Sequence, residues 1–443
     1  MNDKIRKSVL KRMKTQEQIY RWITDEGEER VCEAISEDQC EEVPGNFLKN
    51  SLSGFSSKLA EQLVSPGVTL PWILSVLGAS SGFAGLLVPL KNAGSLLPQL
   101  LVSAKIRAFA KRKNFWAYSA FFQAIMVACM LIAFLLFEGD KAALIIVSAL
   151  FLFSIASGVA SVSFKDVMAK TIPKGRRGRL LATRATGGGL LTLGAGFVLY
   201  FFLSGSYSEQ SILILIASAS VLWFISGAFF WSINEKAGAT EGGRSPIEEL
   251  SKGIELLKEN TNLRNFIISR ALLMAIPLAQ PFFILYGKRL TDADLSGLGL
   301  LVIASGIAGF ISSPFWGKFA DRSSRKLMMV VAFLGILNIA LVMGFSLVAN
   351  DYQTIAVFAP LILLNMMIHG GARLSRKTYL ADFAPEDERP LYISLSNTCI
   401  GLFTVVAAGI GFIAELFSIQ ALFVFLMMML IASMAYSFSL KEV

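Results

Sequence analysis

Residues 317–326 read GKFADRSSRK, one carboxylate, Asp321, set among Lys318, Arg322, Arg325 and Lys326. The flanks are apolar: ISSPFW (311–316) before and LMMVVAFLGIL (327–337) after. A tight charged turn between two such runs is what a chain makes when it leaves a bilayer and re-enters it.

Composition agrees. The 443 residues are 54% hydrophobic and 16% charged, with a mean hydropathy of +0.60, whereas soluble domains carry about a quarter charged residues. Cys32, Cys40, Cys129 and Cys399 have no zinc spacing, and a disulfide framework is not expected. The single histidine excludes a His-rich metal centre. A net charge of +9 fits basic loops on one membrane face better than a nucleic-acid partner. No HExxH, nucleophile elbow, P-loop or paired carboxylates point to an enzyme, and no cofactor is implied.

Apolar runs long enough for the hydrocarbon layer predict twelve spans: 69–90, 93–110, 114–137, 142–168, 180–204, 211–233, 263–286, 295–316, 326–348, 353–376, 392–413 and 416–438. Outward loops then carry Lys91, Lys141, Lys288 and Arg289. The inward 4–5 segment alone carries Lys165, Lys170, Lys174, Arg176, Arg177, Arg179 and Arg184. By the positive-inside rule both termini are expected in the cytoplasm.

The expected organisation is a cytoplasmic extension (1–65), a six-helix half (66–233), a central linker (234–262) and a second half (263–443). Ser245-Pro246, followed by Glu248 and Glu249, starts a helix in the linker. In the extension, Ile5, Val9, Met13, Trp22 and Ile23 keep a helical period, and Leu48, Leu52, Phe55, Leu59 and Leu63 make a second apolar face. Such helices can lie on the inner membrane surface or hold a cytoplasmic partner. No signal peptide is read in this stretch.

Shifting the chain by 212 residues lays Pro173 on Pro385, Ala169 on Ala381 and Arg177 on Arg389. The halves therefore read as repeats. The charges reverse: Lys170, Lys174 and Arg176 face Asp382, Glu386 and Glu388. A cytoplasmic gate of exposed ion pairs, each about 0.2–1 kcal/mol, is one reading; independently solvated loops is the other.

GKFADRSSRK resembles the loop motif of the major facilitator superfamily, G-x-x-x-D-R/K-x-G-R/K-R/K. Gly317, Asp321, Arg322, Arg325 and Lys326 fit it, and Ser324 replaces the second glycine. The topology carries the resemblance over 69–438. It implies an all-α membrane protein with twelve helices in two pseudo-symmetric halves. It also implies a secondary transporter working by alternating access, monomeric, with a small-molecule substrate and a lipid surround. In the first-half copy, AKIRAFAKRK (104–113), Ala104 and Ala108 stand where the glycine and aspartate belong. By the family's pseudo-symmetry Asp321 would accept from the start of span 5, near Arg179, with Arg373 and Arg376 as further partners.

The resemblance also implies a mid-membrane cavity lined by spans 1, 4, 7 and 10. Trp72, Ser80, Ser157, Arg270, Gln280, Asn365, His369 and Arg373 are its candidate lining residues, with the serines equally read as helix-packing residues. Arg270 can bind an anionic group or snorkel, and His369 can titrate or make a helix–helix hydrogen bond. No Asp or Glu is expected mid-span. Span 5 holds Gly187, Gly188, Gly189, Gly194 and Gly196 but no Gly-Pro, so the family's drug/proton antiporter motif is incomplete. An amphipathic or hydrophobic solute fits such a cavity; lipid flipping, or a non-transporting sensor built on the extension, are the alternatives.

Overall fold

The computed structural model describes residues 15–24, 32, 35–99, 102, 106, 109–202, 208–238, 246–293, 295–320, 322–385 and 388–442. Asp321, Glu386, Ala104 and Ala108 lie outside them. The described chain is helical: α1 (15–24), α2 (Glu37–Leu63), α3 (Thr69–Val76), α4 (Ser81–Leu96), α5 (Lys113–Leu136), α6 (Gly139–Thr171), α7 (Arg177–Phe202) and α8 (Ser208–Trp231) come first. Then follow α9 (Pro246–Glu259), α10 (Thr261–Leu272), α11 (Ala275–Thr291), α12 (Leu295–Ala320), α13 (Ser324–Gly344), α14 (Ile355–Phe383), α15 (Arg389–Ala407), α16 (Gly411–Leu416) and α17 (Ile419–Phe438). Among the described residues nine helical spans are long and apolar enough to cross a bilayer.

From α5 onward the helices fall where the hydropathy predicts them. Pro246 opens α9 as expected. The predicted seventh span is two helices, α10 and α11, interrupted at Leu273–Met274. Pro277 has no N–H to give the Leu273 carbonyl, which accepts instead from Ile276 N (3.2 Å) in a tight turn.

The beginning of the chain departs from expectation. Residues 69–90 are not one span: Gly78, at φ +73°, turns the chain between α3 and α4. Instead α2 and α3 act together, interrupted at Val64–Val68 where Pro66 prevents a continuous helix. This pair holds the place in the first half that α10–α11 holds in the second. α2 packs against α7 and α8, as α10 packs against α15 and α17. Residues 37–63 are thus part of the bundle, not a surface extension. The predicted apolar face is also turned outward at Leu52, while Asn46, Asn50, Ser53 and Ser57 are buried. Where the surround is lipid, small and polar side chains gain most by facing neighbouring helices. Asn46 and Asn234 exchange two bonds (Nδ2 to Asn234 O, 3.0 Å; Asn234 N to Oδ1, 2.8 Å), and Ser226 Oγ donates to Ser53 O (2.7 Å).

Ahead of α2, α1 is held through Tyr20, edge-on to Phe47 at 5.3 Å, with Ile172 and Leu180 in the same small core. Trp22, on the apolar period of this segment, is 84% exposed. Cys32 and Cys40 form a disulfide against expectation, because the turn into α2 brings their Cα atoms to 5.7 Å.

The halves meet most closely at the end opposite the termini. There α7 crosses α12 and α4 crosses α15 and α16. These crossings depend on glycine. A Cβ on Gly85 would stand 2.5 Å from Gly411 Cα, and one on Gly299 would stand 2.5 Å from Tyr200 N. The Gly196 of span 5 belongs to the same contact, against Ile303.

Candidate functional site

At the terminal end each half carries a charged cluster, and the two are related by the chain's internal repeat. In the second half Ser323 caps α13 by accepting from Lys326 N (3.1 Å). Arg325 pairs with Glu442 (2.7 Å) and donates to Leu440 O (2.9 Å), so the motif's basic end fastens the residues after α17. Ser323 Oγ donates to the same carboxylate. That hydroxyl first, and Arg325 and Lys326 behind it, hold the Glu442 carboxyl below the usual carboxylate range. Gly317 has open space where a Cβ would point, so close helix approach does not explain it here. Arg322 is exposed.

The first-half copy, which lacks the motif's aspartate, builds the more enclosed cluster. Arg112 pairs with Asp166 of α6, and Glu235, just after α8, is fully buried at its side chain. Glu235 accepts from Lys170 Nζ (3.0 Å), Arg112 N (3.1 Å) and Lys113 N (2.7 Å), while Lys113 Nζ donates to Ile233 O (2.6 Å). Arg112 through its backbone N–H and Arg325 through its guanidinium thus each bind a glutamate just past the last helix of their half.

The reversed-charge loops make no ion pair with each other among the described residues. Arg176 donates to Thr24 O (3.3 Å) and Arg179 to Ile23 O (2.7 Å), so both hold α1. Arg177 donates to Ala169 O (2.9 Å) and Ile172 O (3.1 Å), closing the carbonyl end of α6. Glu388 is exposed.

The candidate lining residues are spread over helices of both halves. Trp72 is buried and carries Lys288 Nζ at 5.1 Å from its ring. Gln280 is buried, its amide set where a Cβ on Gly67 would touch at 3.1 Å. Asn365 is buried with Nδ2 unpartnered. Arg270 is buried and donates to Ser396 Oγ (2.6 Å) and Asn397 Oδ1 (2.8 Å) of α15. His369, Arg373 and Arg376 share one face of α14 and lie within electrostatic range of one another. Ser157 is half-buried with no side-chain bond. Ser80 lies at the end opposite the termini, where its N–H and hydroxyl donate to Asp140 (2.7 Å each).

Two expectations are overturned here. Lys91, expected in an outer loop, lies ten residues inside α4 and binds Glu61 of α2 (2.6 Å), which also meets Lys58 (3.4 Å). An acid therefore does sit within the bundle. Glu61 escaped the sequence reading because polar α2 was left outside the bundle; the charge immediately before the Ser65-Pro66-Gly67 break was its available signal. Arg184, counted as a loop cation, instead lies over Phe164 (4.7 Å) and donates to Asn50 O (2.6 Å).

Comparison with known proteins places this geometry. Residues 266–442 match the family model described as Major Facilitator Superfamily. An uncharacterized protein of Mycobacterium tuberculosis is 25% identical over 364 residues, 80% of this chain and 69% of its own. The multidrug resistance protein MdtG of Salmonella choleraesuis is 34% identical over 115 residues, 25% of this chain and 27% of its own. Among solved structures, the nucleoside transporter NupG superposes with a TM-score of 0.67 at 14% identity, over 89% of this chain and 98% of that one. The inward-open xylose transporter XylE of E. coli gives 0.61 at 14% identity, over 90% and 97%.

Proposed function

Because this chain belongs to the major facilitator superfamily, we propose that it moves a small amphipathic or hydrophobic solute across the cytoplasmic membrane by alternating access, with both termini in the cytoplasm. The observation that carries this reading is the asymmetry of the cleft. Helices of the two halves touch through bare glycine backbone at one end. Toward the other end Lys58 and Lys165 of the first half lie within electrostatic range of Lys377 of the second. Like charges across a gap oppose closure there, so the state is open toward the termini. The partial likeness to MdtG supports an efflux-type substrate. In this reading Asp321 is a conformational latch, and Asp321→Asn slows transport while leaving expression and ligand binding near wild type.

The test is cysteine accessibility combined with transport of a panel of fluorescent amphiphiles in proteoliposomes. Gly85→Val and Gly299→Val are expected to prevent the glycine closure, expose cleft positions from the end opposite the termini and abolish turnover. Unchanged accessibility in both variants, with no amphiphile moved by the wild type, would sink the proposal.

A further inference from the structure

We propose that the cleft contains an anion site, centred on Arg373, Arg376 and Lys377 of α14, that takes the phosphate or carboxylate group of an amphipathic solute. This rests on the transporter reading only for the solute's being carried; the site itself stands on the charges. Arg373, Arg376 and Lys377 follow at i, i+3 and i+4 and share a helix face. Lys377 lies in electrostatic range of Lys58 on α2 and Lys165 on α6, and Arg376 in range of Arg270 on α10. Lys58 and Lys165 belong to the other half, so this face is turned toward that half. Snorkelling along a lipid-facing surface would not place them there.

Among the described residues no carboxylate pairs with these cations. Glu61 is committed to Lys91 and Lys58, and Asp166 to Arg112 and Lys170. Asp382, further along α14, and exposed Glu388 form no ion pair among the described residues. Arg270, 7% exposed, is met only by neutral oxygens, and its buried Nε has no partner. Arg376 is half-buried and Arg373 and Lys377 are exposed, so an anion can reach all three. Clustered cations without counter-charge are costly. A bound anion relieves the mutual repulsion, and guanidinium forks match the paired oxygens of phosphate or carboxylate. Toward the closed end Trp72 and Phe282 are buried aromatics, suited to an apolar remainder.

The test is thermal unfolding of the full-length protein in neutral detergent at matched ionic strength. The probes are pyrophosphate, citrate and lysophosphatidylglycerol, against choline chloride and lysophosphatidylcholine. Anionic probes are expected to raise the midpoint in a saturable manner. Arg376→Gln and Lys377→Gln are expected to raise the half-saturating concentration about tenfold or more. Arg289→Gln, which removes the same charge at the opposite end, leaves it unchanged. Arg376→Lys controls for folding and retains a measurable response. Saturation by lysophosphatidylglycerol alone assigns a lipid headgroup, and saturation by pyrophosphate or citrate assigns a free anion; both support the site. No anion response in the wild type, or equal responses in Arg376→Gln and Arg289→Gln, overturns it. Saturable binding without movement of the bound probe in proteoliposomes would remove the transporter reading and leave the site standing.

Discussion

The two terminal-end clusters are copies of one design and have diverged in opposite ways. The second-half copy keeps the motif letters, yet its described anchor, Glu442, is 45% exposed at the side chain. The first-half copy has lost its aspartate to Ala108, yet its anchor, Glu235, is fully buried and takes Lys170 together with two backbone N–H groups. Burial raises what an ion pair is worth to hold and what it costs to break. The half with the poorer motif should therefore be the more firmly fastened at this end.

Glu235→Gln is the strongest way to break this contrast. It leaves the Lys170 ammonium beside a neutral group and is expected to cost about 3–5 kcal/mol, read as a lowered unfolding midpoint in detergent. An effect no larger than that of Glu442→Gln would show that burial does not separate the two clusters. Arg112→Gln comes next. Asp166 then keeps only Lys170 at 3.9 Å, and a loss of about 1–3 kcal/mol is expected for an under-satisfied charged group.

Arg325→Gln should be milder, about 0.2–1 kcal/mol, because its partner is solvent-screened. Its clearer mark is faster amide exchange through residues 438–442, which lose the Arg325 bonds to Leu440 O and Phe438 O. The smallest effect concerns pH. The folded Glu442 carboxyl lies below its unfolded value, so the fastening is complete above about pH 4.3 and is lost as pH falls through the folded value. Glu442→Gln should remove that acid-dependent release and leave neutral-pH behaviour nearly unchanged. An identical acid profile in wild type and variant would assign the release to another group.

Much of the fold was legible because lipid imposes a simple rule on sequence: a crossing helix needs a long apolar run. That rule located α5–α8 and α12–α14, and the loop motif with the repeat identified the architecture. It failed at α2, whose Asn46, Asn50, Ser53 and Ser57 look like a soluble surface but lie inside against α7 and α8. Their burial depends on partners more than 130 residues away, such as Ser226 and Asn234, and no local pattern encodes that. Of the polar groups within the bundle, Arg270, His369 and Arg373 stood out as ionisable residues in apolar runs, whereas Glu61 and Lys91 were assigned outside the spans.

By itself the sequence determined the solvent of this protein, its two-half repeat and the family its loop motif resembles, since hydropathy and turn chemistry are local properties. The tertiary structure alone decided which charges are answered. Arg176 and Arg179 hold α1, Arg325 holds the residues after α17, and Glu61 is spent on Lys91. Charge pairing falls off within a few ångströms, so it is set by how helices distant in sequence are brought together. Among the described residues that leaves the α14 cations Arg373, Arg376 and Lys377 without an ion pair.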